Sequence, residues 1–106
     1  AEPYGRAATR FTRQHLLGRE VWLERDVSDT DRYGRALRYV WLIPPPKEPT
    51  VTDLRRHLFN AVLLLEGYGQ VVTYPPDVRF AQWFLQFQRE ARQAGRGLWS
   101  QGRDGP

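Results

Sequence analysis

The sequence has no cysteine, and only one of its sixteen basic residues, Lys47, is a lysine. The absence of cysteine excludes disulfides, thiolate zinc sites and a cysteine nucleophile. Long hydrophobic runs are also missing. The longest compact one, residues 61–65, is far shorter than the ~20 apolar residues that cross a membrane. We therefore expect no membrane partner.

The composition is that of an ordinary globular protein. Hydrophobic residues make up 41% of the chain and charged residues 26%, which does not suit a disordered segment. A chain of 106 residues is long enough for one hydrophobic core and too short for two. We expect a single domain over residues 1–106.

The basic residues are almost all arginine, and the formal net charge is +4. The planar guanidinium binds phosphate and carboxylate groups through paired hydrogen bonds, so a polyanionic partner such as nucleic acid is one interpretation. The other is that arginine reflects a GC-rich or thermophilic genome. A modest net charge does not decide between the two.

Periodicity predicts three helices and two clear strands. Apolar residues recur at helical spacing over residues 4–17, 53–66 and 78–94, and they alternate over residues 20–24 and 36–43. A shorter strand-like piece lies at 70–74. Thr52 is the predicted cap of the middle helix, and Gly67 and Gly95 are predicted to end the second and third helices.

Two helices carry well-defined apolar stripes. The predicted buried residues of the middle helix are Leu54, Leu58, Ala61, Val62 and Leu65, and those of the last helix are Phe80, Phe84, Phe87, Ala91 and Ala94. Two strands alone form a marginal sheet with both edges open. The apolar helix faces need a larger surface to pack against than two strands provide. We therefore predict missing structure or a partner chain, for example a homodimer that pairs exposed strand edges.

The segment Asp31-Arg-Tyr-Gly-Arg35, followed by a strand, resembles the D-[RK]-Y-G-R-x-L-x-Y segment of the staphylococcal nuclease family. Other similar pieces occur in the family's order. They are Tyr4-Gly5-Arg6 before Phe11, Asn60 through Gly67, Tyr74-Pro75-Pro76, and Gly97-Leu-Trp99 after the last helix. Each piece is weakly specific alone, and five in the correct order identify the family.

The resemblance implies an α+β fold: a partial OB-fold barrel of the staphylococcal-nuclease type with three helices, lacking the N-terminal strands. In the family, two calcium-binding aspartates, a phosphate-binding arginine and a general-base glutamate precede the first of these helices. Those positions have no counterpart in the 106 residues. We therefore expect Ca²⁺ for the complete family domain, and none bound by this chain.

The resemblance assigns Arg35 as a catalytic residue that stabilises charge on the phosphate. The alternative is that Arg35 only pairs with a nearby aspartate. Tyr33 and Arg32 match positions that line the nucleotide site, although packing within the turn explains Tyr33 equally well. Tyr74 lies near a family tyrosine that packs on the base. Asp29 and Asp31 are not expected to bind metal.

The remaining candidates are His15, His57 and Trp83. No serine or aspartate pattern accompanies the histidines, so both are interpreted as structural or solvated. Trp83 lies off the main apolar stripe of its helix and is the one tryptophan that suits base stacking.

The function implied by the resemblance is calcium-dependent hydrolysis of phosphodiester bonds in DNA or RNA, and we expect the 106-residue chain alone to be inactive. The alternative is a non-catalytic module that binds nucleic acid or protein. A secreted or cell-surface location is a further expectation from the family.

Overall fold

The computed structural model describes residues 3–71 and 76–100, with side chains from Gly5 onward. Its elements are α1 (Pro3–Leu16), β1 (Trp22–Glu24), β2 (Tyr39–Trp41), α2 (Val51–His57), α3 (Phe59–Leu65), α4 (Ala81–Ala94) and a 3₁₀ turn (Gly97–Trp99). The expected strand at 70–74 lies largely outside the described residues. No helix in the described ranges is both long and apolar enough to cross a membrane.

The two described strands form one antiparallel sheet, in which Trp22 pairs with Trp41 and Glu24 with Tyr39. The α+β class is therefore confirmed. A closed OB barrel is not formed by the strands in the described ranges and stays a prediction of the resemblance.

The expected single helix over residues 53–66 is wrong. Leu58 is extended, with φ −94° and ψ 108°, and divides that span into α2 and α3. Its backbone makes an antiparallel bridge with Trp41, and the N–H of Leu42 donates to the carbonyl of His57 at 2.7 Å. Leu54, Leu58 and Ala61 are nevertheless buried. Leu65 is also buried, but Val62 is only partly buried. Periodicity therefore predicted four of the five buried residues and could not show the break, which gives four α-helices in the described ranges instead of three.

Two helix starts also differ from expectation. The cap of α2 is Thr50, whose hydroxyl accepts from the N–H of Asp53 at 3.1 Å while the Asp53 carboxylate accepts from the N–H of Thr50 at 2.9 Å. This reciprocal pair satisfies two helix-end donors, which a cap at Thr52 would not do. Helix α4 begins at Ala81 rather than at Val78, which is exposed.

The core lies between the helices and the inner face of β2. Its fully buried members include Trp41, Leu58 and Phe87, and no polar or charged residue of the described ranges is buried as a whole. The α4 stripe is confirmed at Phe80, Phe87 and Ala91, is partly buried at Phe84, and is wrong at its end, where Ala94 is exposed.

Helix α1 is joined to this core by aromatic contacts. The Phe11 ring lies 6.1 Å from that of Phe59 and 5.0 Å from that of Tyr68, measured between centroids. His15 packs against Phe11, and its Nδ1 lies 2.9 Å from the Phe11 carbonyl oxygen. His15 is structural in this setting, as expected.

A close backbone crossing ties the end of α3 to the 3₁₀ turn. Both Gly67 and Gly97 have positive φ, and a Cβ at Gly67 would lie 2.2 Å from the carbonyl oxygen of Arg96. The N–H of Leu98 donates to the carbonyl of Gly67 at 2.8 Å. Only glycine fits this approach without displacing backbone.

Candidate functional site

Residues 31–35 form a tight turn organised by one carboxylate, which we call the Asp31 turn. Asp31 Oδ1 accepts from the backbone N–H groups of Tyr33 at 2.8 Å and Arg35 at 2.9 Å. The Asp31 carbonyl accepts from the N–H of Gly34, whose φ of +81° suits glycine. The flanking residues, Thr30 and Ala36, form an antiparallel bridge. The sequence D-R-Y-G-R thus encodes a closed loop that fixes the backbone of Arg35.

The Arg35 side chain is held at one end and open at the other. Its Nε donates to Asp31 Oδ2 at 2.7 Å, and the side chains of Arg35 and Asp31 are 70% and 8% exposed. No other hydrogen bond of the Arg35 guanidinium is found within the described residues. Its two terminal amino groups therefore point to solvent with four N–H donors available.

The electrostatics of the Asp31 turn favour a charged carboxylate. The hydrogen bond from the Arg35 N–H is the largest influence that lowers the pKa of Asp31, and the Tyr33 N–H and Arg35 guanidinium act in the same direction, while desolvation opposes them. Asp31 therefore stays ionised at neutral pH and holds the guanidinium in place.

Tyr33 presents a ring flanked by two cations. It is 67% exposed, and the Cζ atoms of Arg32 and Arg35 lie 4.9 and 5.3 Å from the ring centroid. All three predicted residues of the loop are therefore brought together at one surface. The exposed ring leaves a surface on which a base could stack, and its cation–π contacts with two residues of the same turn equally suit the explanation by packing.

A second salt bridge, between Arg38 and Asp29, joins the two chain segments that flank the Asp31 turn. Arg38 donates through Nη2 to Asp29 Oδ1 at 2.5 Å and through Nη1 to the Asp29 carbonyl at 2.7 Å. Asp29 and Asp31 are each engaged with an arginine. No group of three or more His, Cys, Asp or Glu side chains in the described ranges is placed to hold a metal ion. These residues do not offer a calcium ligand set.

Asp77, which sequence reasoning missed, fastens the loop to the chain that precedes α4. Its Oδ1 accepts from the backbone N–H groups of Val27 at 2.9 Å and Ser28 at 2.7 Å. The N–H of Ser28 is the main influence that lowers the Asp77 pKa. A depression of about 310 Å³ lies beside this contact and is lined by Ser28, Thr30, Asp31, Arg32, Tyr33, Leu37 and Asp77. The only sequence signal was a carboxylate directly after two prolines.

Asn60 supports β2 from the helical side. Its Oδ1 accepts from the N–H of Val40 at 2.8 Å, and its Nδ2 donates to the carbonyl of Arg38 at 3.2 Å. The Asn60 amide thus makes the two backbone hydrogen bonds that a neighbouring strand would otherwise make at this position. Because Arg38 also holds Asp29, the helical core is connected to the Asp31 turn through one side chain.

A polar network joins the other end of β2 to the segment before α4. The Tyr39 hydroxyl donates to the Asp26 carboxylate, which also accepts from the N–H of Arg79 at 3.2 Å. Burial, followed by this hydrogen bond, raises the pKa of Tyr39. The Arg79 guanidinium pairs with Glu24 at 3.1 Å. These contacts position the sheet, and Tyr39 stays protonated.

Tyr74 and Trp83 are the remaining candidates. Tyr74 falls outside the described residues. Trp83 is on α4, is 39% exposed, and its ring stacks near Phe87 with centroids 6.3 Å apart.

Comparison with known proteins places this sequence in a family. The family model described as staphylococcal nuclease homologue matches residues 1–101. The chain is 34% identical over 99 residues to a thermonuclease from Staphylococcus hyicus, covering 93% of this chain and 52% of that protein. It is 36% identical over 98 residues to a thermonuclease from Staphylococcus intermedius, covering 92% and 51%. The chain spans about half the length of the curated relatives it matches, and it belongs to the staphylococcal nuclease homologue family.

Proposed function

We propose that this chain contributes to a nuclease that hydrolyses phosphodiester bonds of DNA or RNA, with Arg35 as the residue that stabilises charge on the reacting phosphate. One observation carries the proposal. The Arg35 guanidinium is bound to Asp31 through Nε alone, and its side chain is 70% exposed in the same turn as Asp31, Arg32 and Tyr33, which line an open depression.

The geometry suits phosphate chemistry because a guanidinium bonds two oxygens in parallel. Negative charge on the equatorial oxygens must be neutralised as the phosphorus–oxygen bond breaks, and a pre-positioned cation does so without further reorganisation. Asp31 keeps Arg35 in one orientation. It accepts the Nε hydrogen and leaves the terminal N–H groups for the phosphate.

Tyr33 and Arg32 extend the site along the strand of the substrate. An exposed aromatic ring beside two cations provides a stacking surface for a base, with phosphate contacts on either side. Such contacts do not read base identity, which fits an enzyme that accepts many sequences.

Calcium dependence belongs to the proposal through the family resemblance. In that family the ion positions and polarises the phosphate. The roles proposed for Arg35, Tyr33 and Arg32 do not require contact with the ion.

The test measures cleavage of a fluorescent oligonucleotide by the natural full-length protein, with calcium or with a chelator. We expect calcium-dependent cleavage that falls by about 10³- to 10⁵-fold in Arg35→Ala. Arg25→Ala is the control, because it removes a second exposed arginine from the same β1–β2 connection and should leave the rate unchanged. Equal rates for wild type and Arg35→Ala would contradict the proposal. The prediction that the 106-residue polypeptide is inactive alone is tested in parallel.

A second candidate is a non-catalytic module that pairs strand edges between two copies. The observation that favours it is the two-stranded sheet of the described ranges, where Leu23 on β1 is 63% exposed. Sedimentation of the full-length protein tests this candidate. A dimer that Leu23→Lys dissociates would support it, and a monomer at micromolar concentration would reject it.

A further inference from the structure

Helix α1 carries a face made of arginine. Arg6, Arg10 and Arg13 are spaced by four and three residues, so they lie within an arc of about 60° and roughly 6 and 4.5 Å apart along the axis. All three are exposed, and the helix sequence PYGRAATRFTRQHL contains no acidic residue. We call these three residues the α1 arginine face.

None of the three arginines of the α1 arginine face forms an ion pair with a carboxylate in the described part of the chain. The ion pairs found there involve Arg35, Arg38, Arg55 and Arg79, each with a carboxylate. Like charges one helical turn apart destabilise a helix by a few tenths of a kcal/mol for each pair. Three neighbouring cations without an acidic partner therefore do not stabilise the helix. Their charge is complementary to an anionic ligand.

The orientation of α1 is fixed, and the arginines point outward. The opposite side of the helix carries Phe11 and His15, which pack against Phe59 of α3. The outer side is a shallow, open surface bordered by Gly5, Arg6, Thr9, Arg10, Arg13 and Gln14. No residue borders both this surface and the depression beside the Asp31 turn.

We propose that the α1 arginine face is a second binding site for the phosphate backbone of nucleic acid, separate from the Asp31 turn. Each arginine contacts a phosphate of a single strand and contributes affinity without reading the base. The inference rests on the proposed function only in taking nucleic acid as the polyanion. The site would hold a long substrate while the Asp31 turn acts on one of its phosphodiesters.

A nucleic-acid strand fits this surface better than a membrane does. A helix that lies on a lipid surface needs a free apolar side to enter the acyl region. The apolar side of α1 is occupied, because Phe11 is in contact with Phe59 and Tyr68. Between Gly5 and Leu16 the exposed side chains are cationic or polar, and the one large apolar side chain exposed at this end of the helix is that of Leu17, directly after it.

The test is binding of a fluorescent single-stranded oligodeoxynucleotide to the full-length protein, by anisotropy in a chelator and across salt concentrations. The variant is Arg6→Gln/Arg10→Gln/Arg13→Gln. Glutamine keeps helix propensity close to that of arginine. The control is Lys47→Gln/Arg56→Gln/Arg89→Gln, which removes the same three charges from exposed positions outside α1. Circular dichroism verifies that both variants fold.

Affinity falls as salt concentration rises. We expect the α1 variant to make the slope of log affinity against log salt less steep by about 2, the value for three phosphate contacts on a single strand. The control should change it by less than about 0.7, the value for one contact. Equal slopes for the two variants would overturn the inference. The inference would also be overturned if the α1 variant lost binding to phosphatidylserine vesicles but kept the wild-type salt dependence of oligonucleotide binding, because α1 would then bind membranes.

Arg35→Ala separates this inference from the proposed function. Cleavage that depends on Arg35, together with unchanged binding in the α1 variant, would overturn the inference and leave the nuclease proposal standing. If nucleic-acid binding depends on the α1 arginine face but the protein does not cleave nucleic acid, the inference stands and the nuclease proposal is overturned.

Discussion

The helical core and the Asp31 turn are held together by different forces. The core buries Trp41, Leu58 and Phe87 completely, and no polar or charged residue of the described ranges is buried as a whole. The turn exposes Tyr33 and Arg35 and depends on hydrogen bonds to a single carboxylate. Packing thus provides stability in one region, and directed polar contacts provide geometry in the other. The two properties should therefore respond separately to mutation.

The largest effect on stability is expected from Phe87→Ala. The ring is fully buried in the core and contacts the guanidinium of Arg55 at 5.4 Å. Its removal leaves a cavity and should lower the free energy of unfolding by about 3 to 5 kcal/mol. Urea unfolding measures the change. A loss below about 1 kcal/mol would show that this core is not closely packed.

A smaller loss is expected from Gly67→Ala. The added Cβ would meet the carbonyl oxygen of Arg96 at 2.2 Å, and the residue has φ +81°. The left-handed backbone and the displaced crossing should together cost about 2 to 3 kcal/mol. Gly69→Ala is the matched control, because its Cβ would lie 3.6 Å from Leu64 Cδ2, an ordinary contact. Equal melting temperatures for the two variants would contradict the close crossing.

The smallest effect on stability, with a clear effect on activity, is expected from Asp31→Asn. The amide oxygen still accepts backbone N–H groups, but the charge that orients Arg35 is lost. Cleavage should fall at least tenfold, within the range for a misplaced catalytic group, while the melting temperature falls only slightly, because only the stabilising contribution of the charged carboxylate is lost. A large fall in melting temperature alongside the loss of activity would show that the Asp31 turn contributes to stability as the core does.

The pH dependence of Asp31 sharpens the same comparison. Because folding lowers the pKa of Asp31, the charged carboxylate stabilises the folded state above the unfolded value of about 3.9. That contribution is constant between pH 5 and 8 and is lost as pH falls through the lower folded pKa. The stability difference between wild type and Asp31→Asn should therefore shrink only below about pH 4, as acid titration followed by circular dichroism would show.

Local sequence predicted what depends on local chemistry. The α1 helix, the apolar stripes and the glycine stops follow from periodicity and backbone preference, and the Asp31 turn lies within five consecutive residues. The helix break at Leu58 depends instead on pairing with Trp41, and Asp77 accepts from Val27 and Ser28 fifty and forty-nine positions away. Such partners are fixed by tertiary structure, so no pattern of spacing indicates them.

The most direct test of the account compares Arg35→Lys with wild type in the full-length protein, measuring both cleavage rate and urea unfolding. Lysine keeps the charge but loses the planar fork that bonds Asp31 and phosphate together. We predict unchanged stability and cleavage reduced by about 100-fold or more. Cleavage close to that of wild type would show that the guanidinium geometry at position 35 is not what the site requires.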